Sequence, residues 1–181
     1  MTLTQAESEN FYKLFKSVCW YVNRHEGCFP EDEDYRTAEA INPEHMEQLF
    51  SMFFEDDDLN DSYRKDNPDS FSEEELEIIF QWQNGAKGTF IVERILKKGA
   101  MLIGTGERVY QMVGLITEPD EMVYYLPMAI STTLIPYKGR IVYASTMREI
   151  PLYFGSGMKK ALKNIYLEAR ANKKIITSLE A

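Results

Sequence analysis

The chain has 181 residues, 44% of them hydrophobic and 13% aromatic, with a formal net charge of −9. That length and apolar content support one good core, or a core with a small satellite, and argue against both a disordered chain and a multidomain enzyme. The charge is lopsided, with 21 Asp and Glu against 6 Lys and Arg in residues 1–80 (net −15), and 8 against 14 in residues 81–181 (net +6). Such asymmetry fits electrostatic docking of one half on the other, separate charged surfaces for outside partners, or two solvated faces.

Thr4 and Glu7 form a capping box, after which Phe11, Leu14, Phe15, Val18 and Val22 make one helical stripe that Gly27 ends. No charged-then-apolar leader opens the chain, and the apolar run Met122 to Ile130 is too short for a bilayer, so a cytoplasmic protein without a membrane partner is expected. Glu31 to Asp34 reads as a solvated acidic loop. Asn42 before Pro43 starts a second helix with Met46, Leu49, Phe50 and Phe53 on its apolar face. Glu55 to Asp69 is acidic and polar apart from Leu59 and Tyr63, and reads as a mobile excursion. Ser72 with Glu75 is another capping box, opening a helix packed by Leu76, Ile79, Phe80 and Trp82 and closed by Gly85.

The period then changes. Thr89 to Leu96, Ala100 to Ile103 and Arg108 to Ile116 read as a three-stranded meander turned at Gly99 and at Gly104-Thr105-Gly106. A short helix is expected near Pro119, and Ile130 to Ile135 with Arg140 to Ala144 makes a hairpin punctuated by Pro136 and Gly139. After Pro151 a last helix carries Met158, Ala161, Leu162, Ile165, Tyr166 and Ala169 on one face and Lys159, Lys160, Lys163 and Arg170 on the other, with an apolar tail to Leu179. The whole reads as α+β: N-terminal acidic helices (1–85), then a small curled antiparallel sheet or barrel of about five strands with a C-terminal basic helix (86–181), forming one compact unit.

Candidate chemistry is sparse. Cys19, His25, Cys28 and His45 are the soft-metal candidates, but their intervals match no zinc spacing, so no metal site is expected. The two cysteines read as reduced thiols. Asp56, Asp58 and Asn60 occupy the first three ligand spacings of an EF-hand, yet Asp61 stands where glycine is needed and Asn67 where the bidentate Glu belongs. Gly155, Ser156 and Gly157 before a helix, with Lys159, Lys160 and Arg148, could hold an anion. Ser156 serves equally as an N-cap beside glycines admitted for close packing. Phe154 and Met158 exclude a nucleophile elbow at Ser156. Tyr110, Tyr137 and Tyr143 with Arg94, Arg108, Lys138 and Arg140 would supply stacking and phosphate contacts for nucleic acid, against the repulsion of the acidic half.

Leu134-Ile135-Pro136-Tyr137-Lys138-Gly139-Arg140-Ile141-Val142-Tyr143, followed by Phe154-Gly155-Ser156-Gly157, Leu162, Tyr166, Ala169 and Ile175-Ile176-Thr177-Ser178-Leu179, resembles the carboxy-terminal portion of a group of uncharacterised bacterial proteins. Some of that group carry an appended cysteine-rich zinc motif, which is absent here. The resemblance implies a recurrent hairpin-plus-helix module and transfers no activity.

The expected function is therefore non-enzymatic binding or adaptor activity, with a protein partner or self-association and no cofactor. A phosphate-handling enzyme at the Gly155 to Lys160 helix start and nucleic-acid association through the basic half are the alternatives.

Overall fold

A computed structural model describes residues 1–30, 34–37 and 42–179, and the chain separates into two compact units. One unit is Gln5–Gln83; the other joins Met1–Thr4 to the chain from Asn84 onward. Among the described residues no helix is long and apolar enough to cross a membrane.

The first unit is helical: α1 (Gln5–Glu26), α2 (Pro43–Glu55), α3 (Asp57–Asp66) and α4 (Glu73–Gln81). Gly27 closes α1 with φ +64 and its N–H donating to the Asn23 carbonyl. Asn42 caps α2 by accepting from the Glu44 N–H, and Ser72 and Glu75 form the expected capping box on α4. The stripes meet in an aromatic core: Phe15 stacks on Phe50 at 4.9 Å between centroids, and Trp82 stands 5.8 Å from both Phe11 and Phe50. Residues 31–33 of the expected acidic loop lie outside the described residues.

The expected excursion over Glu55 to Asp69 is instead mostly helix. Asp56 accepts from the Leu59 N–H, acidic Asp57 and Asp58 open α3, and Arg64 and Lys65 close it, as the helix dipole prefers. Leu59 and Tyr63, four apart, share a face and are buried. Tyr63 packs edge-on against Tyr21 and hydrogen-bonds Ser17, so two apolar residues at helical spacing outweigh the surrounding charge. This also removes the calcium reading, since Asp58 and Asn60 belong to a helix and Asn60 is buried.

The second unit is a six-stranded mixed sheet with one long helix. Its strands are β1 (Ala86–Leu96), β2 (Gly99–Ile103), β3 (Val109–Met112), β4 (Met128–Tyr137), β5 (Arg140–Tyr143) and β6 (Arg148–Ile150), with a short α5 (Pro119–Met122) before β4 and α6 (Ser156–Ala171) last. The expected meander and hairpin are both present. β1 is bulged between Val92 and Arg94, and it pairs with β2 along one part of its length and with β4 along another. The pairings run β1-β2-β3-β5-β4 and back to β1, so the sheet is ring-like, with β6 added beside β4. It is not a continuous barrel, because β3 meets β5 through the single parallel pairing of Met112 with Ile141. The expectation of a wholly antiparallel sheet is thereby corrected on topological grounds: directions cannot alternate around a ring of five strands, and one parallel contact is unavoidable.

Gly99 makes the β1–β2 turn with φ +131, and a Cβ there would stand 2.2 Å from the Met112 carbonyl oxygen. α6 covers one face of the sheet, burying Leu162 and Tyr166 with Phe154 on Met101, Ile103, Val109 and Ala129. Met158 and Ala161 are exposed, so they do not belong to that stripe as expected. Arg94, at the bulge, lies 3.8 Å from the centre of the Tyr166 ring and pairs with Glu93. The tail docks: the Ile176 N–H donates to the Val109 carbonyl and its carbonyl accepts from the Gln111 N–H.

Candidate docking surface

Among the described residues ten large apolar side chains are conspicuously exposed, and six of them fall in two short stretches, Tyr124 to Leu126 and Leu152 to Met158. Chain topology explains their meeting. β4 and β6 pair antiparallel at Ala129 with Ile150, so the segment entering β4 and the segment leaving β6 depart from the same end of that pair. The Tyr125 hydroxyl donates to Glu149 Oε1 at 2.5 Å, tying the entering loop to β6. That bond raises the phenol above its ordinary range, because ionising it would place a second negative charge beside Glu149.

Anchoring and exposure alternate sharply along the second stretch. The Leu152 N–H turns back to the Ile150 carbonyl, and Phe154 is buried under α6. Between them Tyr153 is 97% exposed, and Tyr124 on the facing segment is 82% exposed. Met158, in the first turn of α6, is 56% exposed and extends the apolar surface onto the helix. Soluble surfaces carry single exposed apolar residues without consequence, whereas a cluster of large ones marks an interaction site.

The patch has two unlike rims. On the α6 side stand Lys159, Lys160 and Lys163, none of which makes an ion pair within 4 Å among the described residues. On the other side Glu149 on β6 accepts from Tyr125, and Glu118, Asp120 and Glu121 around α5 precede Tyr124 by a few residues in the chain. Glu118 pairs with the amino terminus of Met1.

The expected anion corner is only partly assembled. Gly155, Ser156, Gly157, Lys159 and Lys160 are all exposed at the start of α6. Gly155 is the N-cap and makes no side-chain cap bond, so Ser156 is the first helical residue rather than the cap. Close packing does not explain the glycines either, since a Cβ on Gly155 or Gly157 would meet nothing within 4 Å. Arg148 opens β6, eight residues before Ser156 opens α6.

The four soft-metal candidates do not converge. Cys19 is fully buried, its thiol pushed up by burial and facing the Met46 carbonyl at 4.0 Å. Cys28 faces Met52 sulfur at 3.6 Å, His45 stacks on Phe29 at 3.8 Å, and His25 lies beside Tyr21. Among the described residues no three His, Cys, Asp or Glu side chains gather to hold a metal. Tyr110, Tyr137 and Tyr143 are all buried, which withdraws the stacking platform expected for nucleic acid. Strand alternation turned these rings inward; Tyr110 packs edge-on against Phe90 at 5.7 Å.

The sequence pattern did not single out Tyr124, Tyr125, Leu126, Leu152 and Tyr153. The available signal was two apolar triplets beside prolines, Tyr124-Tyr125-Leu126 before Pro127 and Leu152-Tyr153-Phe154 after Pro151, in stretches with neither strand nor helix period. No family model matches the chain, and neither a curated protein nor a solved structure matches it significantly.

Proposed function

We propose that this protein is a non-enzymatic binding or adaptor protein, and that its sheet unit docks a segment of a protein partner on the patch formed by Tyr124, Tyr125, Leu126, Leu152, Tyr153 and Met158. The observation that carries this reading is the gathering of six of the ten exposed large apolar side chains at one end of the β4–β6 pair. Tyrosine and methionine are enriched where proteins meet, tyrosine because it buries a large area at modest entropic cost and methionine because its flexible thioether adapts to the partner.

The rims indicate the partner's chemistry. Lysines on one side and carboxylates on the other complement an amphipathic segment that is acidic at one end and basic at the other, with apolar side chains between. A nucleic-acid backbone fits less well, since Glu118, Asp120, Glu121 and Glu149 would repel phosphates beside the most exposed tyrosines.

The test is a fluorescence-anisotropy titration with labelled amphipathic peptides of about 15 residues, carrying Leu and Trp at helical spacing, Glu at one end and Lys at the other. Replacing Tyr124 and Tyr153 together by serine weakens binding about tenfold or more, and an all-acidic or all-basic peptide binds less well than the dipolar one. Equal binding by the double variant overturns the reading. So does tighter binding of a single-stranded oligonucleotide, and concentration-dependent self-association through the same tyrosines assigns the surface to a second copy instead.

A further inference from the structure

A second feature of the sheet unit lies apart from the apolar patch: a half-open cleft of about 310 Å³ bounded by the β2–β3 turn, the last turns of α6 and the docked tail. We infer that this cleft binds a small zwitterion with an apolar body, of the size and chemistry of a free aliphatic amino acid.

Size comes first. Ligand pockets span roughly 300–1,000 Å³, and a cleft at the lower end suits an amino acid better than a nucleotide. Its floor is apolar, made by Val109, Ile165 and Ile176, which gives an aliphatic side chain somewhere to lie. Its walls are fixed by backbone bonds. Ile176 is held between Val109 and Gln111, the Lys174 N–H donates to the Ala169 carbonyl at 2.8 Å, and the Gly104 N–H closes the turn on the Arg108 carbonyl at 2.9 Å.

Charge comes second. Glu107, Arg108, Glu168 and Lys174 all line this cleft, yet none makes an ion pair within 4 Å among the described residues. Two signs of charge held unpaired around one apolar floor match a ligand that carries both. The orientation follows from the placement of the charges. The last turns of α6 line the cleft at Glu168, Ala169 and Asn172, so the ligand's ammonium belongs against the Glu168 carboxylate. The carboxylate then faces Arg108, whose planar fork matches it in bidentate fashion.

The backbone fixes both ends of the cleft. Lys173, with φ 55, is the left-handed residue that closes α6, its N–H donating to the Arg170 carbonyl and that of Lys174 to the Ala169 carbonyl. Glu107, with φ 59, stands in the turn on the opposite wall.

The experiment uses the full chain and three probes: leucine, leucinamide, which lacks the carboxylate, and 4-methylpentanoate, which lacks the amine. Amide chemical shifts are followed on titration to about 10 mM, a range suited to the millimolar affinity expected of a small ligand on an open site. Leucine shifts the amides of residues 106–109, 165–169 and 172–176, and each truncated analogue binds about tenfold more weakly. Arg108→Gln narrows the difference between leucine and leucinamide, and Glu168→Gln narrows that between leucine and 4-methylpentanoate. Both side chains are exposed, and unchanged spectra away from the cleft verify the fold. No shift with leucine overturns the inference, as does equal binding of all three probes, which would make the cleft an apolar crevice only. Peptide docking on the tyrosine patch is read at 124–126 and 152–158, so the two proposals fail separately.

Discussion

The helical unit and the sheet unit treat their apolar and charged groups in opposite ways. Among the described residues of 5–83 no large apolar side chain is conspicuously exposed, and several basic side chains are tied up: Lys13 with Glu75, Arg36 with Asp34 and Asp69, Arg64 with Glu77. Arg36 also lies 3.7 Å from the centre of the Trp20 ring. All ten exposed large apolar residues fall in the other unit, whose lysines on α6 and charges around the cleft are left unpaired among the described residues. The more highly charged unit is thus the one whose described apolar side chains are the better covered. Net charge alone is a poor guide to where a partner binds; unsatisfied surface is a better one.

That contrast can be broken first at the cores. Trp82→Ala removes the ring that Phe11, Phe15 and Phe50 share, and should cost about 3–5 kcal/mol, read as lost hydrogen-exchange protection in α1 and α2. Retained protection there would mean that the aromatic cluster is not the centre of the helical unit. In the sheet unit Gly99→Ala meets both the positive φ and the Met112 carbonyl. It should cost about 2 kcal/mol or more, measured by denaturant unfolding of the sheet signal.

A finer difference is alkaline sensitivity. Burial, with a hydrogen bond to Asp66 and the charge of that residue, pushes the Tyr21 phenol from 10.0 up to about 12. The fold therefore favours the neutral phenol. Its stabilising effect is complete below pH 10, the unfolded value, and is lost as pH rises from 10 to about 12. Tyr21→Phe should flatten that loss in the helical unit, followed by tyrosinate absorbance against helix content. A variant that unfolds along the wild-type alkaline curve would contradict it. The smallest stability effect belongs to the docking patch: Tyr124→Ser with Tyr153→Ser should change stability by no more than about 0.5 kcal/mol, since both rings stand in water.

Much of the architecture was readable because it rests on local signals. Asn42-Pro43 and the Ser72–Glu75 box fixed two helix starts, and the glycine turns separated β1, β2 and β3. What escaped was of two kinds. α3 was hidden because ten residues rich in Asp show only Leu59 and Tyr63 as a stripe, and that pair is enough once Tyr21 and Phe53 lie against Tyr63. The parallel β3–β5 contact and the β4–β6 pairing are long-range facts that no local period records. The docking patch follows from the second of these. Tyr124 and Tyr153 are distant in sequence, and only the β4–β6 register brings their segments to one end of the sheet. Conversely, Tyr110, Tyr137 and Tyr143 drew attention as aromatic residues in strands, which is the position that buries them.

The most direct test maps the amide shifts of the full chain during titration with a dipolar amphipathic peptide and, separately, with a single-stranded oligonucleotide. The account predicts peptide-induced shifts confined to residues 124–126 and 152–163, surviving moderate salt because apolar contact carries most of the binding, and only weak, salt-erased shifts from the oligonucleotide. Shifts spread over α1 to α4, or an oligonucleotide that displaces the peptide from Tyr124 and Tyr153, would contradict it.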